Sequence, residues 1–453
     1  MVLARREKLI MLLSLLALGL TIFFVRERTS FINIPLLRML YFSTLIPIGL
    51  SATLLLFRKR LFPKAVSLRE EFRRAWPLLL YYLAALVVLV IAYFNAASAP
   101  VVLNRAPHWW VNRTLLCLVV PFSYFLGVSN RRASKKYVGY GLLAVVGIGI
   151  VSGLGELAWN YGYENPFYSF WYWWKNSVST LSNLWFWDGK EAMRIAGFSY
   201  NPAFYSYIGI VCLVWTLSAR KVSGYLRLGI GASALVMVGL SGSRASLLIA
   251  VLCIVVSLIL SWKEIAVWVK EKLLSPHEKR TVYLVVCSAL AVVLIASFAY
   301  LVVQDVGAFG RVETAVQSLF NSVSGDPDEV GPDILTGRGH LWTAGWEAIS
   351  AHPFGAGLLD QQVAGRGLHN AYLSAWVAGG PAFFVLLIMV LVWMVRLPMR
   401  DDRKHLPLLL GIFCVVQGFI GNGLPGATIA PLVFFLLGVE SREPVEEDER
   451  QLV

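Results

Sequence analysis

Charge is scarce in this 453-residue chain. Only 15% of its residues are Asp, Glu, Lys or Arg, where a soluble domain carries about 25%. So thin a polar surface excludes a disordered protein, a coiled coil and an ordinary soluble enzyme. Cysteine is nearly absent as well. The five present, Cys117, Cys212, Cys253, Cys287 and Cys414, all fall inside apolar runs and show no C-x-x-C spacing. That argues against a disulfide framework or a thiolate metal site and leaves small packing residues. The chain also lacks a P-loop, a G-x-G-x-x-G, an H-E-x-x-H, and a G-x-S-x-G in the context that gives it meaning. Nucleotide hydrolysis, zinc proteolysis and serine acyl transfer therefore have no support. No repeat of the solenoid kind is present.

What is there is apolar surface: 57% of the residues are hydrophobic and the mean hydropathy is +0.66. Crossing a hydrocarbon layer of roughly 30 Å takes about 17–25 helical residues. Twelve runs qualify, at approximately 9–25, 36–57, 76–94, 113–128, 137–158, 201–219, 223–240, 245–262, 281–303, 371–396, 406–422 and 424–439. They do not alternate with period two, so a membrane barrel is excluded. The first run follows Arg5, Arg6 and Lys8, but no small-residue cleavage site follows it, and we read it as an anchor. The expectation is an all-α, polytopic integral membrane protein with about 12 transmembrane helices, residues 1–453 forming a single membrane domain.

The formal net charge is +13. In a soluble protein that would suggest nucleic acid; here it sorts by side. Arg58, Lys59, Arg60, Lys64, Arg69, Arg73 and Arg74 crowd one loop. Arg131, Arg132, Lys135 and Lys136 crowd the next loop but one, and the alternation continues to Arg396, Arg400, Arg403 and Lys404. Every second loop is basic, which places those loops and both termini in the cytoplasm. That side holds 28 of the 40 Lys and Arg and 14 of the 27 Asp and Glu, leaving the opposite side and the spans near neutrality. The basic excess is thus a topology signal, and no nucleic-acid partner is expected.

Two outer loops are long, 159–200 and 304–370. The first is dense in aromatics, especially over 171–187. It reads either as an interfacial belt or as a platform that stacks on sugar rings or grips a lipid tail. The second begins with an acidic stretch, 324–333, whose spacing is not that of a calcium loop. A helix is expected from Gly339 to Ala351, with Trp342 and Trp346 on one face, stopped by Pro353. On the cytoplasmic side 261–280 reads as an amphipathic helix on the inner leaflet.

Because the outer face is poor in cations, its arginines are informative. Arg194 lies where the first long loop re-enters the membrane, Arg244 in a tight turn between two spans, and Arg338 at the start of the loop helix; Arg311 and Arg366 are further outer arginines. A guanidinium is always charged and offers a planar fork of donors suited to a diphosphate. Each alone could be a snorkelling arginine; Arg194, Arg244 and Arg338 together favour function. His369 shares this rim, and imidazole is suited to taking a proton near neutral pH. His340 and His352 lie in the same loop, at spacings that do not identify a zinc site.

Five short patterns follow in order: R-x-x-G-x-x-x-N-P from Arg194 to Pro202, S-x-S-R from Ser241 to Arg244, G-R-x-x-x-W from Gly337 to Trp342, P-x-G-x-G from Pro353 to Gly357, and H-N-x-Y-L from His369 to Leu373. In this order, on one side of the membrane, they resemble the O-antigen ligase and polymerase superfamily of bacterial envelope glycosyltransferases. Ala245 stands where relatives often have Gly or Thr. The resemblance implies an inner-membrane, metal-independent, inverting enzyme without cofactor, using a glycan on undecaprenyl diphosphate. The acceptor would be lipid A core in a ligase or another lipid-linked glycan in a polymerase, with membrane lipid around both. It implies Arg194, Arg244 and Arg338 as diphosphate or glycan contacts and His369 as the catalytic histidine. Trp342, Asn370 and Tyr372, in the same motifs, are further expected substrate contacts. Ligation is the favoured branch and polymerisation the alternative. A lipid-glycan transporter or flippase is the rival from another class, with Glu156 and Arg38 as the main ionisable groups inside spans.

Overall fold

The computed structural model describes residues 9–19, 34–57, 68–98, 107–131, 135–160, 163, 166, 169, 195–199, 202–219, 222–262, 336–359, 362–363, 368–400, 403–420 and 429–442. A backbone in hydrocarbon must satisfy its own N–H and C=O groups, and helix does so within one segment. The described helices are α1 (Leu9–Gly19), α2 (Ile34–Leu56), α3 (Leu68–Phe94), α4 (Pro107–Ser129), α5 (Lys135–Asn160) and α6 (Pro202–Ser218). They continue as α7 (Gly224–Leu240), α8 (Arg244–Leu260), α9 (Thr336–Ala351), α10 (Ala371–Arg396), α11 (Leu406–Ile420) and α12 (Ala430–Glu440). Among the described residues there is no strand, only an isolated bridge between Met399 and Ser441.

Eleven of the twelve expected runs coincide with a helix, and α9 is the expected loop helix. The run 281–303, the tryptophan-rich 171–187, the acidic stretch 324–333 and all but the start of 261–280 lie outside the described residues. By length and composition three described helices can cross a membrane, Arg69–Phe94, Tyr137–Trp159 and Ala371–Arg396.

The centre of the bundle is α6 and α12. Every residue of α12 is buried, as is nearly all of α6. Two glycines let α12 lie tightly on α4: a Cβ on Gly127 would run into the backbone at Phe435, and one on Gly438 into the backbone at Tyr124. Small residues permit such close helix approach. The periphery is apolar too. On α3, Trp76, Leu80, Leu83, Val87, Val90 and Phe94 are all exposed, a single stripe at helical spacing. A face of that kind is an aggregation liability in water and a normal surface against lipid.

The two ends of the bundle differ. At one end lies a buried ionic network. Glu71 of α3 and Arg131, just past α4, form a bidentate pair with side chains 0% and 2% exposed. Arg131 Nε also donates to Ser441 Oγ at 2.7 Å. Arg403 stacks over Trp215 of α6 at 4.6 Å, and its Nε lies 3.1 Å from Glu440 Oε2. Burial pushes the Arg403 pKa down and the charge of Glu440 opposes that shift.

At the opposite end the P-x-G-x-G segment docks into a broken helix. Gly380, before Pro381, has φ 69 and ψ −165 and interrupts α10. The backbone of Phe354 and Gly355 fills the break, with Ala356 N donating to Val377 O at 2.8 Å and Trp376 Nε1 to Pro353 O at 3.0 Å. Gly355 has φ +100, and a Cβ there would sit 2.5 Å from Gly380 N. We expect Gly355→Ala to lower stability by at least about 2 kcal/mol, from backbone strain and overpacking together. Thermal unfolding in detergent measures it; an unshifted midpoint would contradict this docking.

Candidate functional site

The end that carries the docked loop also gathers the sequence motifs. Glycine makes the tight turn between α7 and α8 possible. Gly242 has φ +64, a conformation that side chains with a Cβ rarely adopt. Ser243 follows as the N-cap of α8, its hydroxyl accepting from Ser246 N at 3.3 Å. Arg244 is then the first residue of α8. Serine hydroxyls tie this turn to its neighbour: Ser246 Oγ donates to Ser243 Oγ at 2.8 Å and lies 2.6 Å from Ser206 Oγ of α6.

The segment after Arg194 lies against the same turn. Ile195 N donates to Leu240 O, the last residue of α7, at 3.0 Å. Gly197 has φ +51, and a Cβ there would meet the Tyr205 ring at 2.5 Å and Ser152 Oγ at 2.9 Å. The carboxylate of Glu156, near the end of α5, accepts from Ala196 N at 3.0 Å and Gly197 N at 2.6 Å. Two motifs about fifty positions apart in the sequence thus form one backbone unit.

The second half of the site sits on α10. His369 has φ 52, the one non-glycine residue with positive φ among the described residues. Asn370 caps α10, with its Oδ1 accepting from Tyr372 N at 3.0 Å and Leu373 N at 3.1 Å. Tyr372 donates through its hydroxyl to Val415 O of α11 at 3.0 Å and packs on Phe419. The same helix α11 reaches α6 through Phe413, whose ring lies 5.8 Å from that of Tyr207. So α11 bridges the histidine helix α10 to α6.

Arg338 lies in the first turn of α9. That helix packs on α10 through a small separate core of Leu341 and Ile349 with Leu368, Leu373 and Val377. Trp342 is half-buried beside this core, and its indole N–H meets no acceptor among the described residues. Trp346, expected on the same face, is 56% exposed. Arg194 itself and the guanidiniums of Arg244 and Arg338 lie outside the described residues, as does the side chain of Arg38.

Sequence reasoning assigned no role at this end to Glu156 or to the serine pair Ser206 and Ser246. An ionisable group inside an apolar run was the available signal for the first; nothing marked the second. Asn370 Oδ1 is engaged in capping α10, and the Tyr372 hydroxyl in holding α11.

Chemically, this end can receive an anion. Helices α6, α8 and α10 all begin here, and helix N-termini carry partial positive charge. Arginine-bearing segments flank them, and a histidine is held on the same rim.

No curated protein and no solved structure matches the chain. Residues 228–390, less than half of its length, match the O-antigen ligase family. That stretch includes the motifs of Arg244, Arg338 and His369, while the Arg194 motif lies before it. The likeness to the O-antigen ligase family therefore rests on residues 228–390.

Proposed function

We propose that the protein is an inner-membrane glycosyltransferase that moves a glycan from undecaprenyl diphosphate to a sugar hydroxyl of lipid A core. The observation that carries this is the Ile195–Leu240 hydrogen bond, which joins the segment after Arg194 to the turn before Arg244. Two arginines that adjoin this one backbone unit in sequence suit the two phosphates of a lipid diphosphate. The described helices, together with 281–303, serve as spans, except α9. The basic loops then face the cytoplasm with both termini, and the motif-bearing end faces the periplasm.

The reaction is a single displacement. The acceptor hydroxyl oxygen attacks the anomeric carbon and forms the new glycosidic bond. The bond from that carbon to the phosphate oxygen breaks, and its electron pair leaves with undecaprenyl diphosphate. The hydroxyl proton passes to His369. Arg194, Arg244 and Arg338 stabilise the charge that grows on the departing diphosphate, commonly the largest catalytic term. Diphosphate leaves without a strong acid, so a pair of carboxylates of the glycosidase kind is unnecessary. Trp342, in the same motif as Arg338, is a further substrate contact.

Two acceptors test the assignment. Purified protein in vesicles receives the undecaprenyl diphosphate glycan with either lipid A core or a second lipid-linked glycan. Glycosylated lipid A core is the expected product. Elongation of the lipid-linked glycan alone would replace ligation by polymerisation.

A further inference from the structure

The transfer mechanism leaves one buried charge unused. Glu156 is 8% exposed, near the outer end of α5, and the turn it engages carries the buried Ile195 and Phe198. A carboxylate in such surroundings is unfavourable unless something specific engages it. Here one oxygen, Oε2, accepts two successive backbone N–H groups, those of Ala196 and Gly197. The turn is held from its other sides by the Tyr205 ring, which fills the space a Cβ on Gly197 would need, and by Leu240 O, which receives Ile195 N.

We propose that Glu156 is a positioning residue for the diphosphate site. Resting on the transfer reaction above, its carboxylate fixes the 195–199 turn against the Ser241–Ser243 turn, the two segments that adjoin Arg194 and Arg244 in sequence. The path is continuous in the structure: Glu156 to Ala196 and Gly197, Ile195 to Leu240, and Ser243 to the first turn of α8. Glu156 touches no reacting atom. It acts through the backbone, and the hydrogen-bond acceptor at its end matters more than its charge.

Three variants read this out, with kcat and the donor KM measured per folded molecule. Glu156→Ala removes the acceptor, and kcat falls by about 100-fold, the scale of a misplacement near 1 Å. The donor KM changes less, because the charge on the leaving diphosphate is fullest in the transition state. Glu156→Gln keeps an oxygen that can accept both N–H groups, and kcat stays within about threefold of wild type. Glu156→Asp shortens the reach and loses about 10-fold; it also serves where the Ala variant does not fold. Wild-type kcat in folded Glu156→Ala or Glu156→Asp would overturn the proposal, as would a Gln variant as impaired as Ala. Wild type and Arg244→Ala run alongside. If wild type does not transfer glycan, the reaction itself is wrong. If wild type transfers, Arg244→Ala fails and Glu156→Ala is unimpaired, only the positioning role is lost.

Discussion

Replacing His369 with alanine should lower kcat for glycan transfer by about 10²–10⁴-fold, the usual contribution of a positioned general base. The chain at this point holds a non-glycine residue at φ 52. Left-handed backbone costs a residue with a Cβ roughly 1–2 kcal/mol. Such strain persists where the surroundings over-determine it, and it tends to collect at functional sites. Here the surroundings are the Asn370 cap on one side and the buried Leu368 on the other. A glycine at 369 separates strain from chemistry. His369→Gly should unfold at a temperature no lower than wild type, because it relieves the backbone, yet be as inactive as His369→Ala. Circular dichroism melts and a transfer assay measure the two quantities. Full activity in either variant would remove His369 from the reaction.

The largest expected effect on stability lies at the opposite end. Glu71→Ala leaves the Arg131 guanidinium, 2% exposed, without the carboxylate it grips with two nitrogens. Breaking a buried pair from one side typically costs about 3–5 kcal/mol. Replacing both partners together, as in Glu71→Leu with Arg131→Met, should recover most of that loss, because no charge is then left buried alone. Denaturation in detergent checks it; a Glu71→Ala loss below about 1 kcal/mol would contradict the buried geometry. Transfer per folded molecule should stay unchanged in both variants, since the network and the motifs occupy opposite ends of the bundle.

The helices were legible because lipid leaves a spanning segment little choice but helix, so apolar length alone finds it. The pair 406–439, interrupted only by Gly421, Gly423 and Pro425, is indeed two helices, α11 and α12. Where charge entered, the boundaries moved. Helix α3 starts at Leu68 rather than near 76 because its first turns are amphipathic, with Glu71 turned inward to Arg131. The motifs were legible as a set, but their division of labour was not. P-x-G-x-G reads as one more site motif, whereas its first glycine, Gly355, lets the loop backbone enter the break at Gly380. That pairing joins residues far apart in sequence, and no local pattern encodes it. Glu156 stood out only as a charge in an apolar run, the same signal a carrier would give; its partners are backbone N–H groups, which have no sequence signature. A broken helix is likewise a carrier feature, but the break in α10 is filled by the chain's own Phe354 and Gly355.

The central claim is group transfer from a lipid diphosphate, and stoichiometry tests it most directly. Purified protein is placed in sealed vesicles with the undecaprenyl diphosphate glycan and lipid A core, without nucleotide and with a chelator. Free undecaprenyl diphosphate and glycosylated lipid A core are counted together. The expected result is one undecaprenyl diphosphate released for each glycan transferred, with the rate unaffected by the chelator. Glycan that crosses the bilayer still bonded to its lipid, with no diphosphate released, would contradict the account and make the protein a carrier.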